Sequence, residues 1–198
     1  MTDRRGIFDS VIDDRGSTKI YAYAWIGLFF LLASCQWQTD SRSHREAAMY
    51  NVQLGLAYLA QGNRPLAKRK LLRALEQAPN VGRVNLAMGY FLEKSGDIQA
   101  AERYYHRALV ISPHCGEILH HYGSFLCRSK KYAEADRYFN EAAQDLQYEY
   151  TASVYESAGM CALKSLNRSL AKMYFVKALA HDPHLERSVR ALKVIQRG

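Results

Sequence analysis

Residues 47 to 60 read AAMYNVQLGLAYLA, with apolar side chains around most of the circumference a helix would have. Such a pattern predicts a helix covered on several sides rather than along one stripe. Beyond it a pattern of small and bulky positions repeats. Gly55, Gly89, Gly123 and Gly159 are separated by 34, 34 and 36 residues. Twelve residues after each stands Ala67, Ala101, Ala135 or Ala171, and seven further on Ala74, Ala108, Ala142 or Ala178. A bulky side chain lies between each pair of alanines: Leu71, Tyr105, Phe139 or Phe175. Turn residues fall between the glycine and the first alanine, at Gly62-Asn63, Ser95-Gly96-Asp97, Ser129-Lys130 and Ser165-Leu166-Asn167. Pro79, Pro113 and Pro183 close three of the four units, since proline lacks the N–H that would continue a helix.

The spacing has a mechanical reading. Glycine on a first helix and alanine on a second let two antiparallel helices approach closely, while the second alanine and the bulky residue are expected to contact the next unit. This register resembles the tetratricopeptide repeat, a helix-turn-helix unit of 34 residues. The expected fold is therefore all-α, a right-handed superhelix of about four repeats over 48–81, 82–115, 116–149 and 152–185, with a C-terminal capping helix over 186–198. Two extra residues separate the third and fourth units, and the third ends in Asp145-Leu146-Gln147-Tyr148 in place of a proline. A longer loop or an extended helix is expected there. Ser43 and Glu46 form a capping-box pattern that would start the first helix. Leu185, Val189, Leu192 and Ile195 recur at helical spacing, as a cap over the end of a stack requires.

The stretch before the repeats has a different character. Ile20 to Ser34 carries no charge over fifteen residues. At about 1.5 Å per helical residue it reaches roughly 22 Å, short of the ~30 Å hydrocarbon core, and so reads as the apolar part of a signal peptide. It ends in Leu32-Ala33-Ser34-Cys35, which resembles the bacterial lipobox. That reading makes residues 1–34 a signal peptide, Cys35 the lipidated mature N-terminus and 35–43 a short linker to a repeat domain over 44–185. An uncleaved anchor and a buried cysteine are the alternatives. The charges before the apolar run cancel, Arg4, Arg5, Arg15 and Lys19 against Asp3, Asp9, Asp13 and Asp14, where signal peptides carry a positive excess. Gln36 after the cysteine, rather than aspartate, suggests the periplasmic face of the outer membrane.

The chain has 198 residues, 12% aromatics and a net charge of +8, which excludes a disordered chain and calls for an anionic partner or surface. Export removes nucleic acid from the candidates. No phosphate loop, HExxH or GxSxG is present, and no enzyme, cofactor, metal or small-molecule substrate is expected. His114, Cys115, His120 and His121 cluster in sequence, but the first two fall in a loop and the histidines are expected on different faces of one helix. Cys127 and Cys161 are the best-placed pair for a disulfide. Buried free thiols are the preferred reading of both.

In a tetratricopeptide stack the first helices line a concave groove. The candidate partner-binding residues are Met49, Val52, Leu56 and Leu59 in unit one, Leu86, Tyr90 and Lys94 in unit two, and His120 and Arg128 in unit three. An amphipathic or extended peptide suits this passage from apolar to polar; self-coverage and a dimer interface are the alternatives. The second helices carry Lys68, Arg69, Lys70 and Arg73, then Arg103 and Arg107, then Arg168, Lys172 and Lys177. These read as solvated convex surface, or as a face drawn to anionic lipid.

Together the lipobox, the short linker and the stretches NVQLGLAYLAQGNRPLAKRKLLRALEQAP and ASVYESAGMCALK resemble the type IV pilus biogenesis/stability lipoprotein. This is the pilotin of the pilus secretin. The resemblance implies an outer-membrane adaptor that helps the secretin subunit reach the membrane and multimerise, as pilus assembly requires. The family typically has six repeats where this chain has four. A different periplasmic adaptor for envelope assembly is the competing function, and an envelope hydrolase or redox protein is a third.

Overall fold

In a computed structural model the chain is described over residues 42–197. The predicted signal peptide over 1–34 and the predicted lipidation site at Cys35 lie outside the described residues. Every regular element among the described residues is a helix. Helix α1 covers residues 42–60, followed by α2 (Arg64–Gln77), α3 (Gly82–Lys94), α4 (Ile98–Ile111), α5 (Gly116–Arg128), α6 (Tyr132–Ala142), α7 (Thr151–Lys164), α8 (Arg168–His181) and α9 (Glu186–Arg197). From Arg45 onward they form one compact unit. Helices α3, α5 and α7 each pair with the even-numbered helix after them and lie side by side, while α1 meets α2 where Gly55 faces Leu71 and Ala67. That arrangement is a tetratricopeptide-repeat solenoid. Helix α1 already covers residue 42, so Ser43 lies inside it and does not cap it.

Small residues set the approach of each pair. All eight repeat alanines, Ala67, Ala74, Ala101, Ala108, Ala135, Ala142, Ala171 and Ala178, are fully buried. The four glycines are buried as well. A Cβ on Gly55 would stand 2.7 Å from Leu71 Cγ, and one on Gly159 2.8 Å from Phe175 Cε1. Gly89 and Gly123 face Tyr105 and Phe139 in the same way, less tightly. The bulky residue thus seats over its own unit's glycine. This contact adds to the expected one with the next unit, where the Tyr105 ring lies 4.9 Å from that of Phe125. A second close approach operates between the start and the end of units two and three, where Cβ atoms on Gly82 and Gly116 would meet Ser112 and Tyr148 at 2.7 Å.

The turns use one geometry four times. Gly62, Gly96, Lys130 and Leu166 all have positive φ, and the first two are glycine because only glycine takes that conformation freely. Asn63, Asp97 and Asn167 then cap α2, α4 and α8 by accepting a hydrogen bond from the backbone N–H three residues on. Lys131 gives α6 no such cap. The junction after α6 is a loop over 143–150, which folds back so that Asp145 Oδ2 accepts from Gly116 N at 2.7 Å. Helix α9 closes the stack by laying Ala191, Leu192 and Ile195 on Ala162, Ala171 and Phe175.

Candidate functional site: an apolar cavity on the first two units

Helices α1 and α3 form the walls of a cavity of about 520 Å³. Met49, Val52, Leu56 and Leu59 line it from α1, and Leu86 and Tyr90 from α3. The walls are held from behind by a core in which Ala48, Val52, Leu71 and Phe91 pack together. Met49, Leu56 and Leu59 touch this core yet remain only partly buried, which leaves apolar surface to offer a ligand. The rim is polar and mostly basic. Lys94 Nζ lies 5.3 Å from the centre of the Tyr90 ring. Arg64 Nη2 donates to Lys94 O at 3.2 Å, tying the rim of unit one to unit two. Arg83 and Glu117 neutralise one another at 2.6 Å. A segment with apolar anchors and a polar or acidic flank matches this arrangement.

All seven groove residues proposed for units one and two line this one cavity. The two proposed for unit three do not. His120 is turned away: Nδ1 lies 3.1 Å from Tyr148 Oη and Nε2 2.9 Å from Ser157 Oγ. Burial, and then the neighbouring His121, push its pKa down to about 4, so the ring is neutral at physiological pH. Burial likewise raises the Tyr148 phenol to about 12. Arg128 is occupied by Glu93, with Nη2 2.9 Å from Oε2 and Nε in contact with Oε1. Glu93 also accepts from Tyr105 Oη at 2.8 Å and so brackets α3, α4 and α5 together. Burial against that carboxylate raises the Tyr105 pKa. His121, which no groove position assigned, lines the cavity instead. Its ring sits 6.4 Å from that of Tyr90, a proximity that only the crossing of α3 and α5 creates.

Further along, the first helices are cross-linked. Cys127 of α5 and Cys161 of α7 form a disulfide with their Cα atoms 5.8 Å apart. The preferred reading of two free thiols is therefore corrected: side-by-side first helices bring the two positions within bonding range. Cys115 is free and partly buried. The rings of His120 and His121, 5.8 Å apart, point to different neighbours, the one to Tyr148 and Ser157 and the other to Tyr90. Among the described residues no three His, Cys, Asp or Glu side chains are arranged to hold a metal. No helix among them is long and apolar enough to cross a membrane.

The family profile of the tetratricopeptide repeat matches residues 82–115, the second unit. Among solved structures, Pseudomonas aeruginosa PilF superposes with a TM-score of 0.73 at 30% identity, over 77% of this chain and 69% of that one. The chain belongs to the PilF family. PilW, a widely conserved type IV pilus biogenesis factor, is similar at 25% identity with a TM-score of 0.69, covering 75% of this chain and 70% of its own. YrrB, a tetratricopeptide protein with an unusual peptide-binding site, shares the fold at 23% identity, with a TM-score of 0.60 over 74% of this chain and 75% of that one. No curated protein sequence matches the chain.

Proposed function

We propose that the protein is a non-catalytic adaptor of the pilotin kind. It holds a segment of the pilus secretin subunit in the cavity between α1 and α3, and so promotes secretin localisation and multimerisation. The apolar cavity, in a chain of the PilF family, is the observation that supports this reading. A helical repeat stack suits the task because neighbouring first helices present a fixed concave surface to an extended or helical peptide. In the same reading the lipid on Cys35 fixes the protein to the periplasmic face of the outer membrane.

Loss of the gene is expected to abolish secretin multimers and surface pili. Normal multimers in the deletion strain would rule the reading out. Leu56→Glu or Leu59→Glu should prevent secretin capture while the helical circular dichroism signal is retained. Mass spectrometry of the mature N-terminus is expected to show an acylated Cys35.

A further inference from the structure

We propose that the convex face of the first two units is a docking surface for anionic lipid headgroups. Arg69 and Arg103 occupy one position of the 34-residue repeat, and Arg73 and Arg107 another. Equal positions in a solenoid fall on the same face, so these side chains form a ladder across α2 and α4. All four are exposed, and none is in a salt bridge with a described residue. Exposed Lys68 adds to the same surface. Two acidic residues share these helices: Glu76, and Glu102, which Lys131 neutralises at 2.7 Å. Unit three supplies an internal contrast. Its α6 carries Arg137 and Glu141 at the same two positions, and these pair with each other at 3.8 Å.

Apolar side chains stand among the arginines. Leu72, between Arg69 and Arg73, is 43% exposed, and Val110, one turn beyond Arg107, is 70% exposed. Guanidinium groups that meet phosphates, beside apolar side chains that enter the headgroup boundary, are how a helical surface lies on a membrane. An acidic peptide would need these donors to converge on a cleft. Here they are spread over a convex face, which a broad sheet of headgroups contacts at once.

The setting of this inference is the membrane-held reading above, but its test does not involve the secretin. The full chain would be partitioned onto vesicles of phosphatidylethanolamine with about one third phosphatidylglycerol and, separately, onto zwitterionic vesicles. Whatever N-terminal apolar stretch or lipid the protein carries is common to both measurements, so the ratio of the two affinities reads the basic face. The expected ratio is about tenfold or more in favour of the anionic vesicles, collapsing at high salt. Arg69→Glu, Arg73→Glu, Arg103→Glu and Arg107→Glu combined should bring it near unity with helicity unchanged. Three outcomes would overturn the proposal: no anionic preference in the native chain, a preference that survives the fourfold variant, or an equal loss when Lys164, Lys172, Lys193 and Arg197 are reversed instead.

Discussion

The first helices of units one and two enclose an apolar cavity with no covalent tie between them, while those of units three and four are cross-linked. The repeat pattern is the same in both halves, down to the glycine, the paired alanines and the bulky side chain between them. What differs is the chemistry at the inner positions. In the first half these are Met49, Val52, Leu56, Leu59 and Leu86, side chains that offer surface and bind nothing covalently or by strong polar contact. In the second half the inner layer carries the Cys127–Cys161 disulfide, and His120 is held between Tyr148 and Ser157. On the outer side Tyr174 Oη donates to Asp136 Oδ1 at 2.6 Å and accepts from Asn140 at 2.7 Å, joining α6 to α8. One repeat scaffold thus supports a receptive half and a rigid half, and the boundary lies at Glu93, which holds Tyr105 and Arg128 together.

The sharpest way to separate the halves is to damage the rigid one. Phe175 is fully buried over Gly159, and Phe175→Ala should cost about 3–5 kcal/mol in chemical denaturation, since it removes a large core side chain and leaves a void. The cavity residues are remote from it, so partner binding under native conditions should persist. Next comes the disulfide. Cys127→Ser with Cys161→Ser should lower stability by about 2–4 kcal/mol, because the cross-link restricts the unfolded chain, and reducing agent should have no effect on the variant. A smaller effect follows from His120. The unfolded ring titrates near 6.5 and the folded one at about 4, so the unfolded chain holds more protons between those values. Stability should therefore fall as pH drops from about 6.5 to 4, by up to about 3 kcal/mol. His120→Gln, which can bond both hydroxyls without titrating, should flatten that part of the pH profile.

Much of this was legible before any coordinates. The glycine and alanine positions announce which helices pair, and the apolar face of residues 49–59 announces one wall of the cavity, because both depend on spacing within a single unit. Contacts between units were harder to read. The placement of His120 depends on Tyr148, whose loop replaces a proline-closed turn and returns to α5 through Asp145 and Gly116. Arg128 looks like a groove residue until Glu93 is found 35 positions away. Lys130 and Leu166 take the same positive φ as Gly62 and Gly96, and their residue types do not advertise it. Cys127 and Cys161, 34 residues apart, were legible as neighbours but not as bonded, because residue spacing does not report how closely two helices pack.

The most direct test of the receptive half is photocrosslinking in cells producing the secretin. A photoreactive phenylalanine analogue would replace Leu59 or Tyr90 in the cavity, and Met160 or Leu163 near the capped end. Adducts with the secretin subunit at Leu59 and Tyr90, and none at Met160 and Leu163, are the predicted result. Adducts confined to Met160 and Leu163 would contradict the account, because the partner would then be held by the half of the molecule assigned to rigidity.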